Sequence, residues 1–399
     1  MKVLFATIYA PSLKKGAPVR IYNLIKQTVH KGIDVDLITL ADDVINKDEL
    51  KRDLGIKNLK VLPIKKHSMF QQFIDVVFFR VPPYFREYRE SSLGQEVLKH
   101  IKEYKPDIIQ LELLHTLYAI APILKKAQKQ GVKIVLDAHN VEYKAFRDGI
   151  QVFSLPKRMI GKYLLSNLLR LEISGIKISD LIFTCSDEDK GFFKRLCPDS
   201  RLEVIPNGVD LNYFMPQPFI AEPVILFAGG MYYPPNDDAL SFYFSEIHNK
   251  VKKEIPNVKI ILLGGELNSW LKGLSLKYPE IITPGLVPDV RDYISKSRVC
   301  ISPMRRGSGT SLKILEYMGS GKTIVATKVG MRGIKYINGK NVLIADSAQD
   351  FSAYLIQVLK DEVLAKTLGN NARKNAEEFY GWDGIVDNVI FAYKRMLNT

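Results

Sequence analysis

The chain has 399 residues, 46% hydrophobic and 25% charged, too long for one ordinary core and suited to two globular domains. Its formal net charge of +14 asks for an anionic partner or a lysine-rich surface, and 34 basic against 24 acidic residues place most of the excess in residues 1–209. Cys185, Cys197 and Cys300 lack paired spacing, which argues against a disulfide framework or a structural zinc; no zinc-finger, KH or RRM pattern points to nucleic acid.

Residues 3–8 read as a buried first strand rather than a signal peptide, because only Lys2 precedes them and no small-residue cleavage site follows. A helix over 20–31 and a strand over 35–40 come next. Short strands at 59–63 and 108–111 bracket a helix over 93–104, and a helix over 119–130 ends at Gly131. Strands at 133–137, 181–185 and 203–205 close a first half. After Pro206-Asn207-Gly208-Val209-Asp210 the pattern restarts. A strand over 224–228 ends at Gly229-Gly230, a helix covers 237–253, and a strand over 258–263 ends at Gly264-Gly265. Further strands fall at 299–302, 323–327 and 342–344. Strands alternating with helices predict parallel α/β sheets, whose ligands sit at the carboxyl ends of the strands. The restart predicts one domain over 1–207 and a second over 208–380, with the three prolines of 216–223 as a stiff linker.

No apolar run reaches the roughly 18 residues that a membrane-spanning helix needs. Residues 70–88 mix aromatic side chains, arginines and prolines, and residues 155–178 interleave Lys157, Arg158, Lys162, Arg170 and Lys177 with many Leu and Ile. An interfacial helix with a basic face fits the second stretch, and so does an ordinary surface helix packed on its own domain.

The strongest chemical signal begins where the strand over 299–302 meets Pro303. Arg305, Arg306, Gly307, Ser308, Gly309, Thr310 and Ser311 then lead into a helix that carries Lys313 and Glu316. Glycines let backbone approach a ligand closely, and free N–H groups at a helix start suit phosphate. The arginines and Lys313 add positive charge where a leaving diphosphate develops negative charge. Glu316, one turn beyond Lys313, suits acceptance of hydrogen bonds from ribose hydroxyls, and it suits equally a surface Lys–Glu pair behind a capped turn.

The run Gly307–Glu316, followed by Gly321-Lys322-Thr323-Ile324-Val325-Ala326-Thr327, resembles the donor site of retaining glycosyltransferase family 4, and within it a bacterial branch that builds exopolysaccharide and cell-surface sugars. Asn207 to Asp210, Gly229-Gly230-Met231 with Pro235-Asn236, and Trp382 before the last helix extend the likeness over nearly the whole chain. The resemblance implies the α/β GT-B fold, two facing Rossmann-like domains with an interdomain cleft, the first taking the acceptor and the second the nucleotide sugar. It also implies that a C-terminal helix over 381–399 packs back on the first domain. By resemblance Glu316 holds the ribose, Lys313 and Arg305 neutralise diphosphate, and backbone at Gly309 and Thr310 contacts phosphate or sugar. Gly229, Gly230, Arg306, Ser308 and Ser311 complete the expected donor site. In the first domain, Gly16 and Arg20 match a loop near donor phosphate and acceptor, and Glu112 ends a strand within reach of the acceptor. His139, in Asp137-Ala138-His139-Asn140-Val141-Glu142, matches the histidine that contacts the donor sugar.

Much of the family has a glutamate where Ser308 stands, and often an arginine and a lysine after the strand that here ends in Gly229-Gly230-Met231. The resemblance further implies a UDP- or GDP-sugar donor, a glycan or lipid-linked acceptor, a cytoplasmic setting open to an anionic membrane face, no nucleic-acid partner, no cofactor and no metal. His139 and Glu142 alone have metal-ligand character, with no third ligand at suitable spacing. A non-catalytic nucleotide-sugar-binding protein and a sugar-nucleotide 2-epimerase remain open as alternatives. A nicotinamide oxidoreductase is a third, disfavoured by Tyr9-Ala10-Pro11-Ser12 after the first strand in place of Gly-x-Gly-x-x-Gly and dismissed by a lack of NAD binding.

Overall fold

The computed structural model describes residues 1–13, 16–41, 45–150, 154–307 and 309–398. The chain divides into two compact units, Met1–Pro206 joined by Trp382–Thr399, and Asn207–Gly381. Among the described residues no helix is long and apolar enough to cross a membrane.

The first unit is built on a seven-stranded parallel sheet. Its strands are β1 (Lys2–Thr7), β2 (Asp34–Ala41), β3 (Leu59–Pro63), β4 (Ile108–Glu112), β5 (Lys133–Ala138), β6 (Leu181–Thr184) and β7 (Leu202–Val204), arranged β3-β2-β1-β4-β5-β6-β7. Near-continuous apolar runs suit strands covered on both faces. Leu4, Ala6, Ile109, Leu111, Ile134 and Leu136 point to one core. Val3, Phe5, Ile108 and Val135 point to the other, which helix Ala17–His30 fills with Ile21 and Ile25 and helix Trp382–Leu397 fills with Trp382, Val386 and Tyr393.

The second unit holds a six-stranded sheet of β8 (Val224–Ala228), β9 (Lys259–Leu263), β10 (Ile281–Gly285), β11 (Val299–Ser302), β12 (Thr323–Ala326) and β13 (Leu343–Ile344). Its order is β10-β9-β8-β11-β12-β13, all parallel, with separate apolar layers on each face. Both sheets are doubly wound, as in the GT-B fold.

Several expectations need correction. The segment 216–223, expected as a stiff linker between the domains, lies within the second unit, where Phe219 packs on the core with Arg298 (5.3 Å) and Lys366 (4.5 Å) over its ring. The helix expected at 119–130 runs Leu113–Gln128, starting directly after β4 and tolerating Pro122 inside it. The helix expected at 237–253 is divided into Pro234–Phe242, a wider turn at Tyr243–Ile247, and His248–Glu254. Strand β10 and helix Lys47–Leu54 were not expected at all.

Candidate functional site

In each sheet the chain winds outward from a central strand and then restarts on its other side. The switch falls between β8 and β11 in the second unit and between β1 and β4 in the first. Loops at the carboxyl ends of such a strand pair form the crevice where α/β sheets take ligands.

Beyond β8, Gly229 turns with φ 154 and its N–H bonds Leu263 O at 2.8 Å. Gly264 follows β9 with φ 146, and a Cβ there would fall 2.1 Å from Gly229 O, so only glycine allows this backbone approach. Asn236 closes the turn by donating from Nδ2 to Gly230 O at 3.0 Å, and its Oδ1 accepts from Lys313 Nζ at 3.3 Å. The β8 loop and the helix after β11 thereby meet through Asn236, a residue the sequence showed only as part of the family likeness.

Beyond β11, Gly307 (φ 131) and Gly309 (φ 72) carry the turn, and Arg332 Nη1 donates to Gly307 O. Ser308 lies outside the described residues. Helix Leu312–Gly319 begins at Ser311 with no side-chain cap, and the Thr310 hydroxyl is buried with no partner among the described residues. Uncapped first-turn N–H groups and an orphaned buried hydroxyl leave donors for an outside acceptor.

Lys313 is half-buried, its ammonium 4.0 Å from the Phe227 ring centroid. Burial pushes it down to about 7, against the pull of Glu316. Burial pushes Glu316 up to about 7, against the pull of Lys313. The Glu316 carboxylate has no hydrogen-bond partner among the described residues. An anion would restore the charge of Lys313, and hydroxyl donors would restore that of Glu316. Arg305 and Arg306 are placed differently from the expectation of free phosphate ligands. Arg305 binds Asp238 through two contacts of 2.8 and 3.1 Å and lies over Phe242, and exposed Arg306 approaches the same carboxylate at 3.8 Å. Asp238 thus spends part of the positive charge before any ligand arrives.

In the first unit, sheet register brings the polar residues together. Thr7 pairs with Glu112 and Glu112 with Asp137, so the ends of β1, β4 and β5 are level. Tyr393 OH donates to Gln110 Oε1, Gln110 Nε2 donates to Glu112 Oε1 at 2.7 Å, and Glu112 Oε2 lies 2.8 Å from His139 Nε2. One proton bridges that last pair. Whichever atom carries it, Nε2 is committed to Glu112, and Nδ1 is the ring nitrogen left for a ligand. Burial raises the Glu112 pKa, Asp137 adds to the rise and His139 opposes it.

Arg20 is not placed as a ligand-facing arginine. It is 1% exposed and holds Asp137 at 2.9 and 3.0 Å and the carbonyls of Ile205 and Pro206, fixing the end of β5 from beneath. Exposed Gly16 (φ 66) begins its helix. The expectation that His139 has no third metal-type neighbour also fails: Glu112, Asp137 and His139 present ligand atoms within 4.8 Å of one another, and Glu142 is not among them. Those atoms are already engaged, Asp137 by Arg20 and Glu112 by Gln110 and His139. Glu142 instead opens helix Glu142–Gly149, where its N–H donates to Glu172 at 2.7 Å. Burial pushes Glu172 up to about 8. Gln110, Asp137, Glu172 and Tyr393 were all missed as site residues. The period-2 alternation that puts Gln110 on the face of Glu112 was the available signal for the first, while Tyr393 and Glu172 meet the site only in three dimensions.

The family model described as Glycosyltransferase Family 4 matches residues 14–213, half of the chain, and one described as Glycosyl transferases group 1 matches 222–361. The chain belongs to glycosyltransferase family 4. Among curated relatives, an uncharacterized 44.6 kDa protein in the cps region of Klebsiella pneumoniae is 26% identical over 163 residues, which are 39% of this chain and 42% of that protein. The match thus spans less than half of that relative's length. Among solved structures, two with the same fold align with this chain over nearly its whole length. Sucrose-phosphate synthase from Thermosynechococcus elongatus has a TM-score of 0.74 at 16% identity, covering 100% of this chain and 99% of that one. Anabaena HepE in complex with UDP has a TM-score of 0.69 at 15% identity, covering 99% and 100%, and HepE is also solved with UDP-glucose. At such identities these likenesses speak for the fold.

Proposed function

We propose that the chain moves a sugar from a UDP- or GDP-sugar to a glycan or lipid-linked acceptor, with retention of anomeric configuration and without a metal. The observation that carries this reading is the start of helix Leu312–Gly319, where Lys313 and Glu316 stand beside an uncapped turn at the β8/β11 switch point. The diphosphate lies against the first-turn N–H groups, with Lys313 charged on its arrival, and Glu316 accepts from the ribose hydroxyls. The bond from the anomeric carbon to the diphosphate oxygen breaks as Lys313 and the helix amides stabilise the departing charge. The acceptor oxygen bonds the same face of that carbon, and its proton passes to the leaving phosphate oxygen, so no protein nucleophile is consumed. His139, held by Glu112, orients the sugar through Nδ1.

Metal independence is supported by Arg20, which already supplies Asp137 with the positive charge a cation would bring. HepE, a neighbour in fold, is recorded with UDP and UDP-glucose, which makes uridine donors the first to assay. The test is incubation with a panel of UDP- and GDP-sugars and candidate acceptors, with NMR assignment of the product anomer and a parallel reaction in EDTA. Transfer with retention, undiminished by EDTA, is expected. Inversion, or activity lost in EDTA and restored by a divalent ion, would contradict it.

A further inference from the structure

The first unit carries a surface that neither its core nor sugar transfer accounts for. An ordinary surface helix buries one face and shows water a polar one. Helix Leu155–Ile178 buries Gly161, Leu164, Leu168 and Glu172 against its unit. Its opposite face, over the first turns, is also apolar: Leu155 is 75% exposed, Met159 69% and Tyr163 43%, at positions four apart, with Ile160 beside them at 48%. The segment 69–80 lies against this helix. Tyr163 OH donates to Val77 O at 3.3 Å, Asn167 Nδ2 donates to the carbonyls of Phe79 and Arg80, and the Arg80 guanidinium covers the Tyr163 ring at 4.9 Å. That segment adds Met69, 88% exposed, Phe70 and Phe78, both 73%, and Phe73, 60%. Exposed apolar residues scattered singly need no explanation; two adjoining elements presenting Phe, Met and Leu together do.

The charge around this apolar group is mainly positive, and the nearby acids are engaged within the unit: Glu87 accepts from His67 N–H, and Glu90 pairs with Arg86 and His67. Residues 154–170 contain Lys157, Arg158, Lys162 and Arg170 and no acidic residue. Lys65 and Lys66 precede the phenylalanines and Arg80 follows them, while Asp75, the acid between, is buried against His67. Apolar side chains able to enter the acyl boundary, ringed by lysine and arginine at headgroup height, match the chemistry of an anionic bilayer surface. We propose that segment 69–80 and the first turns of helix Leu155–Ile178 form a docking face for an anionic lipid membrane, with the phenylalanines and Met159 inserting and Lys157 and Lys162 engaging headgroups. The face is independent of the donor site, so it holds whether or not the chain uses the proposed donors.

The test is co-sedimentation of the full chain with vesicles of phosphatidylcholine alone and of phosphatidylcholine with phosphatidylglycerol. The chain is expected to pellet with the anionic vesicles only, and less as salt rises. F70S/F73S/F78S and, separately, K157E/K162E should each lower the vesicle affinity roughly tenfold or more, with the melting temperature unchanged because the altered side chains are exposed. Three results would overturn the proposal: a chain that stays in solution at millimolar anionic lipid, variants that pellet as well as the parent, or variants that turn a vesicle-indifferent dimer into a monomer. The readout is lipid binding rather than transfer, so a failed donor assay and a failed membrane assay are distinguishable.

Discussion

Lys313 and Glu316 sit one turn apart on a half-buried helix start, and desolvation brings both to about 7, the ammonium from above and the carboxyl from below. Arg305, by contrast, already has its counter-ion in Asp238. A leaving diphosphate therefore gains more from Lys313. K313A is expected to lower kcat/KM by about 100-fold or more, the usual loss for one transition-state donor, and R305A by much less. Steady-state kinetics on the identified donor check this ordering, and an equal loss in both variants would refute it. The same groups set a pH dependence of stability. Glu316 and Glu172 have folded pKa values raised to about 7 and about 8, so their stabilising share is complete below the ordinary glutamate range and is lost as pH rises through those values. Lys313 is depressed, so its share is complete above the ordinary lysine range and is lost as pH falls through about 7. The share of these three groups is therefore smallest near neutral pH, which predicts a minimum there in the melting-temperature difference between the unliganded parent and E172Q/K313M/E316Q. Scanning calorimetry from pH 5 to pH 10 reads it, and a monotonic profile would contradict it.

The elements that hold these residues were partly legible in the sequence. Strand β11, its Pro303 stop and the glycine turn could be placed because a buried apolar run, a breaker and a helix pattern follow one another without ambiguity. Strand β10 could not, because Thr283-Pro284-Gly285 reads as a turn; as an edge strand it tolerates the proline that would forbid a central one. Helix Lys47–Leu54 was hidden by its polarity, with only Leu50 and Leu54 buried. The early start of helix Leu113–Gln128 was hidden because β4 passes into it without a loop, through Leu113 at φ 72. The Gly229–Gly264 contact was equally invisible, since the two dipeptides are far apart in sequence. It now makes a specific prediction: Gly264→Ala must force the β8 loop away, both by contact and by its positive φ. The variant should keep a cooperative melt but lose donor affinity by about tenfold or more, given the 1–3 kcal/mol typical of local backbone strain. Titration calorimetry with the donor nucleotide reads the loss, and parent-like affinity would show the loop to be irrelevant to binding.

On the scale of the molecule, each unit is a doubly wound sheet with polar groups gathered at its strand ends, and the last helix belongs to the first unit although the second intervenes in sequence. The buried residues Trp382, Val386 and Tyr393 complete the core over β1, β4 and β5, and Tyr393 begins the hydrogen-bonded chain that ends at His139. Family resemblance named residues 305–316 and His139 because each lies in a short motif contiguous in sequence. It could not show that Arg20 pairs with Asp137 and Arg305 with Asp238, because an arginine's internal partner depends on which distant acid the fold brings near. Every step of the proposed transfer requires that the second unit bind a nucleotide. The direct measure of that binding is the melting temperature of the full chain with UDP, GDP, ADP and inorganic phosphate, beside the K313A/E316Q variant. One nucleoside diphosphate should stabilise the parent by about 2.7 kcal/mol at a hundredfold excess over its Kd, with little effect from phosphate and a much smaller shift in the variant. No shift with any nucleoside diphosphate at millimolar concentration, or an undiminished shift in the variant, would contradict it.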